Sequence, residues 1–190
     1  MQKKILITIL LAVSMAIITP LCFSGQDDSK KVTFTDLIAT TSETHLILFG
    51  VINNSFTEEM ISGVKSGVPV HFSFFIELFQ KENNVEQLLT EMEFRHTMTY
   101  DTLKDSYKVE LGEINNKIVL LQDLKDTQKT MSEVNGVKVI ELTNLVPDKT
   151  YLLKIKASLF EKTLPLSLHR ILPFTWWDRE TKWHSLEFNY

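Results

Sequence analysis

Large apolar residues at every second position between residues 68 and 80 constrain the fold of this chain more than any other feature. The alternating residues are Val70, Phe72, Phe74, Ile76 and Leu78. Successive side chains of a β-strand point to opposite faces, whereas an α-helix repeats every 3.6 residues. The segment is therefore predicted to be a strand with one face in a hydrophobic core, and the chain is expected to fold around a sheet.

The same alternation marks strands elsewhere in the chain. Further strands are predicted at residues 32–41, 45–52, 92–100, 107–111, 137–142 and 151–160, and in a last segment that ends at Tyr190. The segment 45–52 is apolar on both faces, which is typical of a central strand. Residues 101–105 separate two alternating segments, so these are predicted to form a hairpin.

Two short amphipathic helices are also predicted. Ser55-Phe56-Thr57-Glu58 has the form of a capping box, and Met60 and Val64 follow at helical spacing. The second helix is predicted from the three- and four-residue spacing of apolar side chains over residues 120–134, and it is expected to end at Asn135-Gly136. The apolar residues of this second pattern are Leu120, Leu124, Met131 and Val134, interrupted by Thr127.

The order of these elements indicates the fold class. About eight short strands and two helices occur without a regular alternation of strand and helix, so a parallel sheet is disfavoured. The prediction is a mainly β protein, an antiparallel β-sandwich that is immunoglobulin-like in style, with two short helices.

The N-terminus has the pattern of a secretory signal peptide. Lys3 and Lys4 precede an apolar run at residues 5–18, Pro20 follows, and Ser24 offers a small residue before a cleavage site. The apolar run is shorter than the roughly 20 residues that span a bilayer, so cleavage is favoured over retention as an anchor helix. The predicted organisation is a signal peptide at residues 1–24, a linker at 25–31 and a single β-rich domain at 32–190.

Cleavage would change the chemistry available to the domain. Cys22 is the only cysteine, so the mature domain would contain no thiol for disulfides, zinc–thiolate sites or a Cys nucleophile. Loss of Lys3 and Lys4 leaves 18 of the 20 basic residues against 24 acidic ones, a formal net charge of −6. This charge and the absence of a basic stripe disfavour nucleic acid as a partner.

The sequence contains no recognisable catalytic motif, and no catalytic residue, metal ligand or cofactor is predicted. Of the five histidines, only His71 and His96 are expected to approach each other, on neighbouring strands, and we interpret them as ordinary strand residues. The histidines are His45, His71, His96, His169 and His184. The carboxylate pairs are interpreted as structural: Glu58 and Glu59 in a first helical turn, Glu91 and Glu93 on a solvated strand face, and Asp101 and Asp105 beside a turn.

The C-terminal segment is the candidate binding surface. Trp177, Arg179, Lys182 and Trp183 are the predicted partner-binding residues, because exposed indoles beside cations resemble binding hot spots. Adjacent strand residues point to opposite faces, so Trp177 is expected to be more exposed than Trp176. The alternative is that these indoles close one end of the core.

Three segments together resemble a known bacterial family. They are Gly67-Val68-Pro69-Val70-His71-Phe72 followed by Ile76-Glu77-Leu78; Tyr100-Asp101-x-Leu103-x-x-x-Tyr107-x-Val109; and residues 151–159 followed by Leu164-Pro165-Leu166, Trp176-Trp177 and Trp183. Their order and spacing are similar to the family called domain of unknown function 4390. The resemblance spans nearly the whole mature chain and implies a signal peptide and an envelope location. It implies no activity and no catalytic residue.

These observations favour a non-enzymatic interaction or ligand-binding module of the periplasm or cell envelope. The expected partner is an envelope protein or a glycan, and membrane contact is expected only through the N-terminal segment before cleavage. One alternative is an envelope hydrolase that uses a His or carboxylate site. Another is a small outer-membrane β-barrel, because the chain ends with the alternating residues Leu186, Phe188 and Tyr190.

Overall fold

Antiparallel strand pairing dominates the computed structural model, which describes residues 31–83, 85–159 and 179–190. The described strands are β1 (Thr33–Thr41), β2 (His45–Asn53), β3 (Val70–Glu82), β4 (Val85–Asp101), β5 (Ser106–Leu111), β6 (Lys117–Leu121), β7 (Glu133–Glu141), β8 (Thr150–Leu159), β9 (Arg179–Glu180) and β10 (His184–Asn189). The helices are α1 (Glu58–Lys65) and α2 (Leu124–Ser132), and single 3-10 turns lie at Gly112–Ile114 and Leu142–Asn144. The predicted signal peptide at residues 1–24 lies outside the described residues.

The described strands form two open sheets. The smaller sheet has the order β1-β2-β7, and the larger has the order β10-β8-β3-β4-β5-β6, with β9 beside β8. Every pairing is antiparallel. The prediction of a mainly β antiparallel sandwich with two helices is confirmed, and β2 is the central strand of its sheet.

The core lies between the two sheets, where the alternation in β3 and β8 placed it. The alternating residues of β3 and those of β8 are at most 1% exposed; in β8 these are Tyr151, Leu153, Ile155, Ala157 and Leu159. Phe34 from β1 reaches across to Phe74, with the ring centroids 6.5 Å apart. Burial of such side chains from water is the main source of stability for this fold.

Strand β4 is longer than the sequence pattern predicted. It begins at Val85, and an extra residue, Leu89, interrupts its pairing with β3 at the register shift between Leu78 and Phe79. A bulge of this kind moves the alternation to the other face, so the period-two pattern is visible only after it. The hairpin of β4 and β5 is confirmed, with Tyr107, Val109 and Leu111 buried.

The second predicted helix was too long at both ends. Residues 117–121 form β6, and α2 begins after Asp123, whose carboxylate accepts a hydrogen bond from the Asp126 amide at 3.0 Å. Val134 belongs to β7, and Asn135-Gly136 does not end the helix. Gly136 instead sits in a bulge of β7 at a φ of 76°, a conformation that glycine adopts readily.

The predicted capping box at the first helix was placed two residues too early. Thr57 is the N-cap of α1, and its hydroxyl accepts a hydrogen bond from the Met60 amide at 3.3 Å. Ser55 is buried, and its hydroxyl lies 2.7 Å from that of Ser132 at the end of α2. Neither α1 nor α2, the helices of the described residues, has the length and apolar character needed to cross a membrane.

Candidate functional site

A groove of about 560 Å³ lies between one strand of each sheet. Residues 92–94 of β4 and 135–138 of β7 form its two sides, and residues 112–115 complete its lining. The two strands are about 40 residues apart in sequence and belong to different sheets. The groove therefore exists only because the sandwich brings β4 and β7 together at one of its open sides.

Both strands have an unpaired edge in the described part of the chain. β7 pairs only with β2. β4 pairs with β3 along most of its length, but β5 pairs only with residues 96–101. Residues 85–95 consequently have a neighbouring strand on one side only. Unpaired edges present backbone N–H and C=O groups that can pair with another chain.

A tight turn stands where β5 leaves the edge of β4. A Cβ atom at Gly112 would lie 2.7 Å from the carbonyl oxygen of Arg95, so only glycine allows the turn to approach β4 this closely. Asn115 and Asn116 follow with φ values of 53° and 57°, in the left-handed region that asparagine tolerates better than most residues. The turn therefore defines the end of the exposed edge.

A buried histidine–carboxylate pair anchors this turn to the core. His96 Nε2 lies 2.9 Å from Glu113 Oε2, and His96 Nδ1 lies 3.0 Å from the carbonyl oxygen of Met131. The side chains of His96 and Glu113 are 0% and 5% exposed. The Met131 carbonyl can only accept, so Nδ1 donates to it, and a single proton joins Nε2 to the Glu113 carboxyl group.

The hydrogen bonds of His96 limit what it can do chemically. Both ring nitrogens are occupied, and the ring packs against Phe74 and Phe94, with centroid distances of 4.7 and 5.7 Å. A general base must reach the proton that it abstracts. His96 instead holds Glu113 and the turn in place, and this geometry favours a positioning role over catalysis.

The two histidines that the sequence placed on neighbouring strands do not meet. His71 pairs in register with Thr97, and its Nδ1 lies 3.0 Å from the Thr97 hydroxyl. His96 pairs with Phe72, so the two imidazoles lie on opposite faces of the sheet. His169 lies outside the described residues. No group of three potential metal ligands occurs among the residues that the structure describes.

The outer face of β3 and β4 carries three carboxylates beside the groove. Glu77 and Glu91 are directly opposite each other, Glu93 follows on the same face, and all three line a depression of about 310 Å³. None of the ion pairs between described residues involves them. Like charges directly opposite each other are unfavourable in a sheet, and Lys154 of β8, which lies opposite Glu77 on its other side, pairs with Glu86 instead.

The remaining carboxylate pairs have the structural environments that the sequence indicated. Glu58 and Glu59 lie in the first turn of α1, and a hydrogen bond with Thr57 lowers the pKa of Glu59. Asp101 accepts hydrogen bonds from two amides of its turn at 3.0 and 3.1 Å. Asp105 accepts a hydrogen bond from Tyr100, which raises the pKa of that phenol. None of these groups lines the groove.

The predicted tail residues are only partly described. Trp176 and Trp177 lie outside the described residues, so the expected difference in their exposure stays a prediction. Trp183 is 45% exposed and Lys182 is exposed. The Arg179 guanidinium donates a hydrogen bond to the Asn54 carbonyl at 3.0 Å. Arg179, Lys182 and Trp183 precede β10 and do not line the groove, and their role in binding also stays a prediction.

Comparison with known families places the chain in one of them. The model of the family described as Domain of unknown function (DUF4390) matches residues 29–187 of the 190-residue chain. The chain belongs to this family. The match to the DUF4390 domain confirms the resemblance seen in the sequence, and it covers every strand described here except the last two residues of β10. No curated protein and no solved structure matches the chain.

Sequence reasoning missed the groove of this DUF4390 domain. Its sides come from residues distant in the chain, and Asn135 and Gly136 were expected to end a helix. Two local signals point toward it: Gly112, which the sequence pattern left unexplained, and the Asn115-Asn116 pair, which favours a tight turn. The edge of β4 could not be predicted, because its position depends on where the pairing of β5 with β4 stops.

Proposed function

We propose that this chain is an exported, non-enzymatic module of the bacterial cell envelope that binds another protein in the groove between β4 and β7. One observation carries the proposal, which is that two strand edges without a neighbouring strand among the described residues border the same groove. Sites for small ligands place a few convergent polar groups in a concave, mostly apolar cavity. This groove instead offers extended main chain on both sides, the kind of surface that polypeptide segments recognise.

Export is supported by the N-terminal sequence. Lys3, Lys4 and the apolar run at residues 5–18 have the order of a signal peptide. Fractionation of cells followed by measurement of the intact mass tests this part of the proposal. We expect an envelope protein that begins at Gly25, whereas a mass that includes Met1 would contradict cleavage.

Site-specific photocrosslinking in cells tests the groove. A photoreactive residue at Lys138, which is exposed and lines the groove, should form one dominant protein adduct. Asn135→Trp should remove this adduct because the indole occupies the groove. Leu120→Trp is the matched control, since Leu120 is 71% exposed on β6 and does not line the groove.

The results that would contradict the groove assignment are equally specific. Equal adducts from photoreactive residues at Lys138 and Leu120 would indicate nonspecific capture. Loss of the Lys138 adduct in both tryptophan variants would indicate a general defect. An adduct with a glycan carrier, retained in Asn135→Trp, would place binding elsewhere on the domain.

A further inference from the structure

We infer that the groove takes up an extended peptide as an added strand beside β4, and that this segment alternates basic and apolar residues. The inference rests on the proposed function, because it specifies which protein segment the groove accepts. It is carried by the edge of β4 that has no partner strand in the described part of the chain, by the alternating environment along that edge, and by the carboxylates on its outer face that form no ion pair there.

The edge has the length that strand addition requires. Residues 85–95 of β4 have no partner strand on the side opposite β3 within the described chain. The regular part of this edge follows the bulge at Leu89 and comprises residues 90–95, which at about 3.3 Å per residue extend over about 20 Å. This matches the length of a typical strand.

The side chains along the edge alternate between two environments. Met92 and Phe94 are half-buried beside the groove, while Glu91 and Glu93 are exposed on the outer face. A strand added beside β4 has its side chains on the same two faces, in the same alternation. Its inward side chains would therefore contact Met92 and Phe94, and its outward ones would lie beside Glu91 and Glu93.

The charge of the outer face selects the outward residues of the peptide. Nearby acidic residues already have partners: Glu86 pairs with Lys154 at 2.7 Å and Glu82 pairs with Lys149 at 2.8 Å. Glu91 and Glu93 have no ion-pair partner among the described residues. Opposite charges on neighbouring strands are favourable, so lysine or arginine at alternate positions of the peptide would complement this face.

The same charges disfavour a second copy of the chain as the occupant. Two β4 edges related by a two-fold axis would bring Glu91 and Glu93 of one copy beside those of the other. Like charges on neighbouring strands repel. Charged side chains on an edge are also a general protection against self-association, and this role by itself would give no peptide binding.

Synthetic peptides provide the direct test. A fluorescent nine-residue peptide of alternating lysine and valine should bind the purified protein, measured by fluorescence anisotropy. A peptide of the same composition with all its lysines before its valines, and one of alternating glutamate and valine, should bind at least tenfold more weakly. Equal binding of the alternating and the segregated lysine peptides would overturn the inference, because it would show attraction by charge alone.

A charge exchange locates the peptide on β4. The double variant Glu91→Lys and Glu93→Lys should lose at least tenfold in affinity for the lysine–valine peptide and gain affinity for the glutamate–valine peptide. Glu43→Lys with Glu58→Lys is the matched control, since both residues are exposed, lie away from the groove and give the same change in net charge. An equal loss in the control would show that net charge, and not the edge, determines binding.

N-methylation of the peptide tests main-chain pairing. In an added strand, alternate amides face β4, so methylating that set should abolish binding while methylating the other set should not. Equal affinity of the two methylated peptides would contradict strand addition. If the peptides fail but the adduct at Lys138 persists and is lost in Asn135→Trp, this inference is wrong while the proposed function stands. Failure of both experiments would refute both.

Discussion

Both halves of β4 are extended, but they differ in the number of strands beside them. Residues 96–101 lie between β3 and β5, and their inward residues His96 and Met98 are fully buried. Among the described strands, residues 85–95 pair only with β3, and most of their side chains are exposed or half-exposed. The comparison shows how one strand both completes the core and presents an edge.

The two halves of β4 also differ in sequence, in keeping with the pairing of β5 with only one of them. The paired half carries threonines on its outer face, whereas the exposed half carries Glu86, Glu91 and Glu93. Charged residues are a common device for keeping an exposed edge from pairing indiscriminately. The boundary falls at Arg95, where Gly112 brings the turn against the strand. Acidic residues on such an edge disfavour pairing with strands of like charge.

The largest expected effect comes from the residue that joins the two halves to the core. Phe74 is fully buried, stacks on Phe94 of the exposed half at 4.9 Å and contacts His96 of the paired half. Phe74→Ala should lower the free energy of unfolding by about 3–5 kcal/mol, because truncation leaves a cavity. Urea denaturation measures this loss. Phe75→Ala, on the opposite face, is the control, and a loss for Phe74→Ala below about 1 kcal/mol would contradict the assigned core.

A smaller loss of stability is expected when the contact between Glu113 and His96, at the boundary between the two halves of β4, is removed. Glu113→Ala leaves His96 Nε2 without its partner, whereas every buried polar side-chain atom in the described part of the native chain has one. The free energy of unfolding should fall by about 1–3 kcal/mol. Glu113→Gln, which keeps an acceptor, should lose less. If Glu110→Ala, on the exposed side of β5, costs as much as Glu113→Ala, the anchoring role is wrong.

Charge reversal on the exposed half should barely change stability. Glu91→Lys and Glu93→Lys alter exposed side chains without ion pairs in the described chain, so each should change the free energy of unfolding by less than about 0.5 kcal/mol. The two substitutions together are expected to weaken binding of the lysine–valine peptide at least tenfold. A loss above about 1 kcal/mol in urea denaturation would mean that this half contributes to the fold as the paired half does.

The sequence predicted those parts of the fold in which one face of a regular strand is buried. The core faces of β3 and β8 and the hairpin of β4 and β5 follow from alternation alone, because burial on one face imposes a period of two. The bulges at Leu89 and Gly136 broke that period, so the first half of β4 was missed and the start of β7 was read as a helix end. A period-two pattern in the sequence does not show where a bulge turns the following side chains to the other face of the sheet.

The candidate site was less predictable than the fold because its parts are not local. Glu91 and Glu93 were recognised as exposed strand residues, but their lack of partners depends on where β8 places its lysines. The hydrogen bonds of His96 depend on α2 ending with its Met131 carbonyl beside the ring. Such relationships arise from tertiary packing, and no spacing in the sequence encodes them.

The smallest expected effect concerns the surface ion pair at the tip from which the exposed half of β4 begins. The Lys149 ammonium donates a hydrogen bond to Glu82 at 2.8 Å, and this bond and the lysine charge lower the pKa of Glu82 and raise that of Lys149. A lowered carboxyl pKa in the folded state stabilises the protein above the carboxyl's unfolded pKa, and this contribution is lost as the pH falls through the folded value. The raised lysine pKa adds a contribution that is lost only at strongly alkaline pH.

The pair should therefore contribute at neutral pH and not in acid. Glu82→Gln should lower the urea midpoint slightly at pH 7 and by less near pH 3, because protonation of Glu82 in acid removes the charge that the substitution also removes. The effect is small because both side chains are exposed and solvent screens their attraction. Glu141→Gln, with no ion pair in the described chain, should be neutral at both pH values. An equal shift for Glu82→Gln at pH 7 and pH 3 would show that charge pairing is not its cause, and that the tip of the exposed half relies on the backbone pairing of β3 and β4 alone.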